Sequence, residues 1–232
     1  VIGWTGDDVN EYTLSTGFDV STASFVDSFS VAGQESSPTG LAFNNNGTKM
    51  FVLGFVGEYV DEYSLSTGFD VSTASFSVGF FVGDQEGTPT DLTFNDDGTK
   101  MFVIGQNGDD VNEYTLSTGF DVNTASFVDS FSIASQEAAP TGLAFNDDGT
   151  KMFILGQLGD DVNEYTLSSA YNLFDSTAPT LSSSTPADNA TDVAIDSNIV
   201  LNFSESVDVE SGNITIKKTS DDSVIETIDV TS

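Results

Sequence analysis

Thr39-Gly-Leu-Ala-Phe-Asn-Asn-Asn-Gly-Thr-Lys-Met-Phe-Val-Leu53 is the stretch that decides the fold. Leu41 and Phe43 alternate with small neighbours, the period-two pattern of a strand with one buried face. Asn44-Asn-Asn-Gly47 supplies hairpin chemistry, because Asn tolerates left-handed backbone and Gly takes positive φ without steric cost. Lys49 to Leu53 reads as the returning strand, ended by Gly54. Working outward, Val60 to Leu65 predicts a third strand with Tyr63 and Leu65 on one face. A long connection of the type Ser-Thr-Gly-Phe-Asp-Val-Ser-Thr-Ala leads to a fourth. It reads best at Ser24 to Val31, where Phe25, Phe29 and Val31 alternate with polar residues. Gly or Pro interrupts every stretch longer than about eight residues, so a helical reading fails throughout.

The same text recurs. Gly-Thr-Lys-Met-Phe starts at Gly47, Gly98 and Gly149, 51 residues apart each time. Glu-Tyr-Thr-Leu-Ser-Thr-Gly-Phe-Asp-Val from Glu11 has near copies from Glu62, Glu113 and Glu164 at the same period. A constant period without insertions makes each copy the same structural unit. Four short antiparallel strands per unit describe a β-propeller blade; an open, stacked solenoid is the second architecture the period allows. Pro38, Pro89 and Pro140 open successive units. Val1 falls in the middle of a repeat, so the repeat region, residues 1–175, is expected to be incomplete at its N-terminus, with further blades upstream. The last unit carries only three strand patterns, from Pro140 to Leu167, which leaves an outer strand for ring closure by upstream sequence.

Pro140-Thr-Gly-Leu-Ala-Phe-Asn-Asp-Asp-Gly-Thr-Lys-Met-Phe153 resembles bacterial propellers whose blades open on such a hairpin. The resemblance covers roughly Val1 to Leu173. It implies a propeller and no one activity, since such propellers include enzymes, lectins and scaffolds. Beyond Asp175 the composition shifts. Ala178-Pro-Thr-Leu-Ser-Ser-Ser-Thr-Pro-Ala-Asp-Asn-Ala-Thr-Asp-Val, Asn198-Ile-Val-Leu-Asn-Phe-Ser-Glu-Ser-Val-Asp and Ser211-Gly-Asn-Ile-Thr-Ile together resemble the start of bacterial Ig-like domains of S-layer and other surface proteins. The residues themselves agree: Ile199, Leu201 and Phe203 alternate, as do Ile214 and Ile216. Val224, Ile225 and Ile228 mark a third strand, and Pro179 and Pro186 suit strand edges. Such domains need about 100 residues, so the Ig-like domain, residues 176–232, is expected to be cut at its C-terminus. The expected fold is all-β: a partial β-propeller of four-stranded antiparallel blades plus a truncated Ig-like β-sandwich. The resemblance also implies an extracellular or cell-surface location.

Composition removes whole classes of function. The chain holds 37 acidic and 5 basic residues, a net charge of -32. Such a surface repels nucleic acid and anionic lipid, and no apolar run reaches the ~18 residues of a membrane span. There is no Cys or His, and all five basic residues are Lys. Thiolate chemistry, the commonest general base and bidentate Arg clamps are therefore missing.

The acidic turns Asp7-Asp8, Asp109-Asp110 and Asp160-Asp161 fall between second and third strands and form one rim, where weak calcium binding is a candidate property because hard cations want several oxygens. The bland reading is a solvated acidic edge that guards strand edges against aggregation. No other cofactor is expected. The Asn-Asp-Asp-Gly loops at Asp96-Asp97 and Asp147-Asp148 lack calcium-loop spacing and read as hairpin turns. Acidic pairs that repeat in every blade argue for structure over catalysis, and the fragment reads as no enzyme. Lys49, Lys100 and Lys151, one per blade, point to structural ion pairs. Asn46, Asn189, Asn202 and Asn213 match glycosylation sequons that short sequences produce by chance.

The ligand-facing candidates are the residues that vary between copies: Trp4, Phe55, Gln106 and Gln157 at one position, with Tyr59 replacing an Asp. Exposed aromatics there stack on sugar rings or partner side chains, against the alternative of drift at an unconstrained turn. The leading functional expectation is a non-enzymatic surface-binding or adhesion module, its partner a surface glycan or protein, with the Ig-like domain as spacer. A carbohydrate-active protein (a lectin or polysaccharide-degrading enzyme) whose active portion lies elsewhere is the second reading, and a pure spacer or phage fibre component the third.

Overall fold

The computed structural model describes residues 1–159, 161–174, 180–187, 190–194, 196–204 and 213–229. The chain divides into two compact units, Val1–Phe174 and Asp175–Ser232, one residue before the boundary expected from composition.

Unit one is a series of antiparallel sheets. Strands β3 (Pro38–Phe43), β4 (Lys49–Gly54), β5 (Tyr59–Leu65) and β6 (Ala74–Phe81) form one sheet in chain order, and β7 (Pro89–Phe94), β8 (Lys100–Gly105), β9 (Asp110–Leu116) and β10 (Ala125–Ser132) form the next. They are preceded by β1 (Asp8–Leu14) paired with β2 (Ala23–Ser30), and followed by β11 (Pro140–Phe145), β12 (Lys151–Gly156) and β13 (Val162–Thr166). The four strand patterns and the three-strand final unit are thus borne out within a residue or two. The fourth strand starts and ends a residue earlier than its apolar pattern: Val31 has left the ladder, is fully buried, and donates its N–H to the Asp7 carbonyl at 2.8 Å.

The Asn-Asn-Asn-Gly and Asn-Asp-Asp-Gly segments are hairpin turns. In the first, the Gly47 N–H bonds the Asn44 carbonyl at 3.0 Å, and Gly47 has φ 70°. In its sister turn the Asp97 carboxylate accepts from the Thr99 N–H at 2.9 Å, which spends its charge locally. The connection between third and fourth strands contains a short 3-10 turn (Val20–Thr22, Val71–Thr73 and Val122–Thr124), in which the N–H groups of Ser21, Ser72 and Asn123 donate to Asp19, Asp70 and Asp121.

Neighbouring sheets are joined by side chains the period dictates. Phe51 lies between Phe94 and Phe120 of the following repeat, with centroids at 4.6 and 6.3 Å. Phe102 lies the same way between Phe145 and Tyr171, at 4.7 and 6.5 Å. Thr39 and Thr90 donate across the innermost strands to the carbonyls of Pro89 and Pro140, both at 3.0 Å. The apolar cores therefore sit between sheets, each one drawing on two successive repeats.

Unit two pairs β14 (Leu181–Thr185) with β15 (Val200–Phe203), and β16 (Asn213–Lys217) with β17 (Val224–Asp229). The expected alternation of Leu201 with Phe203 and of Ile214 with Ile216 falls on strands; Ile199 precedes β15. Pro179 and Asn189 lie outside the described residues. Among the described residues no helix is long and apolar enough to cross a membrane.

Candidate functional site

At the two junctions between the last three sheets a lysine and two glutamates form a structural framework, and at the first junction Glu11 acts without a lysine. Lys49 Nζ sits 2.7 Å from Glu62 Oε1 and donates to the Phe120 carbonyl of the next repeat at 2.6 Å. Lys100 does the same with Glu113, at 2.7 Å, and the Tyr171 carbonyl, at 2.7 Å. The second oxygen of Glu62 accepts the Val122 N–H at 3.2 Å, and that of Glu11 the Val71 N–H at 3.0 Å. The lysines are structural ion pairs, as their one-per-repeat spacing implied.

A second glutamate was not singled out by the sequence reading. Glu35, Glu86 and Glu137, each preceded by Gln, are buried beside the turn between second and third strands. Glu86 Oε1 accepts from the Thr88 N–H at 2.7 Å, the Thr88 hydroxyl at 3.0 Å and the Asn107 N–H at 3.0 Å. Space for it comes from Gly105, where an added Cβ would lie 2.6 Å from the Thr88 carbonyl and strike the Glu86 side chain. The Gln-Glu pair recurs at the same 51-residue period, so the signal was present. It was passed over because a short polar pair between a strand and a Pro reads as loop.

Against this constant framework one turn breaks the repeat. In the first and third copies Asp8 faces Ser30 and Asn10 faces Ser28, and Asp110 faces Ser132 and Asn112 faces Ser130. In the second copy these become Tyr59 facing Phe81 and Asp61 facing Gly79. The Tyr59 and Phe81 rings meet at 5.2 Å, both partly open to solvent. Removing the serine side chain at position 79 makes the room, since an added Cβ there would lie 3.1 Å from the Tyr59 ring and 2.7 Å from Asp61 Oδ1. Phe55 of this turn pairs with Trp4, its counterpart in the first copy, at 5.2 Å with an interplanar angle of 39°, and Trp4 is 60% exposed. Glu58 takes the place of Asp7 and Asp109 at positive φ.

Of the residues proposed from sequence, the structure brings Trp4 and Phe55 together and sets Tyr59 on the same turn as Phe55. Gln106 and Gln157 are exposed, and their backbones bond the carbonyls of Thr88 and Ala139 at 3.2 and 3.0 Å. The candidates missed were Asp61, Gly79 and Phe81. They were detectable by comparing the repeats position by position along the fourth strand as well as at the turn.

The acidic rim is tied down mainly through its backbone, and Asp109 Oδ1 is buried without a hydrogen-bond partner. The carbonyls of Asp7 and Asp109 accept from Val31 and Ile133, at 2.8 and 2.9 Å. Asp8 begins β1. Asp110 accepts from Asn112 Nδ2 at 2.8 Å, and Asp161 from Asn163 Nδ2 at 3.0 Å. Asp160 lies outside the described residues. Among the described residues no three acidic side chains are arranged to hold a metal ion.

Electrostatically, Asp61 is the outlier of this turn. Burial, and then repulsion from the Glu35 carboxylate, push its pKa up to about 6. The folded value lies above the ordinary one near 3.8. The penalty for holding Asp61 ionised is therefore absent below about pH 4 and complete above about pH 6. Asp61→Asn restores the residue found in the other copies. It is expected to stabilise the fold near pH 7 by about 1 kcal/mol, less than the full electrostatic relief, because Tyr59 and Gly79 offer the new amide none of the partners Asn112 has. The gain should vanish by pH 4 in paired denaturant titrations of the two proteins.

Three comparisons place these features among known proteins. No curated protein matches the sequence. Among solved structures, a functionally unknown protein from Desulfotomaculum acetoxidans aligns over 71% of this chain and 49% of its own, at 16% identity and a TM-score of 0.51. A protein from Lactobacillus plantarum aligns over 71% of this chain and 46% of its own, at 15% identity and 0.50. A periplasmic gluconolactonase from Pseudomonas aeruginosa aligns over 69% and 44%, at 14% identity and 0.47. The chain thus spans about half the length of each, and the likeness to the first two is one of fold. Residues 175–232 match the family profile of the bacterial Ig-like domain, so the chain joins repeated four-stranded antiparallel sheets to an Ig-like domain of the kind that occurs in bacterial surface proteins.

Proposed function

We propose that this chain is a non-enzymatic binding module of a bacterial surface, and that the turn which breaks the repeat holds a neutral sugar ring of a surface glycan. The observation that carries the reading is the Trp4–Phe55 pair, with Trp4 open to solvent and Phe55 half-buried beneath it. Aromatic faces take up the apolar C–H faces of a sugar and give large contact area at little conformational cost. The surrounding charge of -32 selects against sialylated or sulfated glycans. Glu35 braces the turn by accepting from the Ser37 and Gly57 N–H groups at 2.6 and 2.8 Å, and a displayed site needs such support. The Ig-like unit serves as a spacer, and the site faces outward from the cell.

A glycan array probed with the whole chain tests the proposal. Binding to neutral glycans is expected, with Trp4→Ala and Phe55→Ala each weakening it about 10-fold and Gln106→Ala leaving it unchanged. Retention of no glycan, or equal binding by Trp4→Ala, would overturn it.

A further inference from the structure

The second copy lacks a hydroxyl that the third copy uses. In the third copy the Ser130 hydroxyl donates to Asn112 Oδ1 at 2.7 Å, and Asn112 Nδ2 donates to Asp110 at 2.8 Å. The sheet thus satisfies this side chain from within. In the second copy Gly79 stands in the place of Ser130, Tyr59 in that of Asp110 and Asp61 in that of Asn112. The acceptor has gained a charge, and both of its internal partners are gone. Asp61 is 5% exposed, and its carboxylate has no hydrogen-bond partner among the described residues. Buried carboxylates are ordinarily bonded or paired. Here Lys49 is committed to Glu62, and the charged group that acts on Asp61 is Glu35, a second carboxylate.

The Tyr59 ring connects this carboxylate to the turn that carries Phe55. A Cβ added at Gly79 would lie 2.7 Å from Asp61 Oδ1 and 3.1 Å from Tyr59 Cδ1, so the oxygen and one edge of the ring border the same half-buried backbone. The opposite edge, at Cδ2, lies 3.8 Å from the Cβ position of Gly57, two residues after Phe55. Tyr59 and its partner Phe81 are 41% and 40% exposed. An exposed aromatic surface that ends on a charged, poorly solvated acceptor offers a sugar both of its needs. The ring takes a C–H face, and the carboxylate takes a hydroxyl through a charge-assisted hydrogen bond.

We infer that Asp61 accepts a hydrogen bond from a hydroxyl of the bound glycan, at a second ring position covered by Tyr59. This rests on the sugar reading of the Trp4–Phe55 pair and carries it from one ring to two. The ligand supplies the donor that Ser130 supplies in the third copy, which is why its chemistry is that of a hydroxyl. The charge of Asp61 is a burden on the unliganded fold, since burial and Glu35 both oppose it. Residues that cost stability in this way are retained where binding uses them. Asp61 is then the residue that selects among neutral glycans, because it demands a hydroxyl at one place while the aromatic rings accept any C–H face.

Isothermal titration of the full chain with cellotriose, maltotriose and mannotriose tests this. The wild type is expected to bind at least one of them at neutral pH, and Asp61→Asn to bind it about 10-fold more weakly. The denaturant midpoint of the same variant should rise. Affinity and stability then move in opposite directions, which a purely structural role for Asp61 does not produce. Wild-type affinity should also fall between about pH 7.5 and about pH 5, as Asp61, with its pKa of about 6, takes up a proton and becomes a weaker acceptor. Its cross-strand neighbours Val52 and Gly79 carry no charge, and the Tyr63 phenol stays neutral throughout that range, so Glu35 is the other titrating group that faces it. Asp61→Asn should show no such fall. Equal or tighter binding by Asp61→Asn would overturn the inference, as would a pH dependence that persists in the variant and so belongs to Glu35. A wild type that binds none of the three sugars overturns it too, whereas the Trp4–Phe55 reading falls only if the array of neutral glycans is also empty.

Discussion

Lys100→Met is expected to destabilise the repeat unit by about 3 kcal/mol, while the same change at Lys151 costs less than about 1 kcal/mol. The two lysines occupy one position of one repeat and make the same ion pair, at 2.7 and 2.6 Å. What differs is the glutamate. The Glu113 side chain is 3% exposed and that of Glu164 49%. Removing Lys100 leaves a carboxylate that is buried, charged and already without a partner on Oε2. It also frees the Tyr171 carbonyl of the next repeat. Removing Lys151 leaves a carboxylate that water solvates. The double change Lys100→Met with Glu113→Leu should recover much of the single loss, because a buried ion pair replaced by apolar groups of similar volume is often near neutral. Guanidinium titrations followed by circular dichroism read all three. Equal losses at Lys100 and Lys151 would mean that the pair contributes through local turn geometry and that burial is irrelevant.

That comparison also explains which parts of the molecule could be read beforehand. Strand positions were legible because apolar alternation and Asn-Gly turns are local signals. A lysine that occurs once per repeat announced a structural role, yet its burial depends on the following sheet, which no single repeat encodes. For Glu35, Glu86 and Glu137 the period was legible but the burial was not: it exists only once Gly54, Gly105 and Gly156 bring the second strand against them. The candidate site was half legible. Trp4, Phe55 and Tyr59 stood out as departures from the repeat at two neighbouring turns. Asp61, Gly79 and Phe81 required the register of β5 against β6, which places Tyr59 opposite Phe81 and Asp61 opposite Gly79. The substitutions then read as one coupled event: an aromatic pair enters, a serine side chain leaves to admit it, and the carboxylate moves two residues along the strand.

The largest single-residue effect is expected at Glu86. Its replacement by Ala should cost about 3–5 kcal/mol, whereas Glu86→Gln should stay within about 1 kcal/mol of wild type at neutral pH. Glu86 is fully buried, and Oε1 alone accepts three hydrogen bonds while Oε2 has no partner. Alanine strands the Thr88 and Asn107 N–H groups in a dry site and opens a cavity beside Gly105. Glutamine keeps the accepting oxygen and places its amide nitrogen where the unpartnered oxygen stood. The charge itself is a burden there: burial first, and Asp110 last, raise the Glu86 pKa against the lowering pull of its own hydrogen bonds. A folded-state pKa above the unfolded one means the ionised form is penalised, so wild-type stability is relieved as pH falls toward the ordinary glutamate range. Any advantage of Glu86→Gln over wild type should therefore shrink on acidification, while the deficit of Glu86→Ala persists, since the stranded N–H groups do not titrate. A Glu86→Ala loss no larger than that of an exposed glutamate would show that the turn between second and third strands holds without its buried acceptor. The Gln-Glu period would then be incidental to how the sheets are joined.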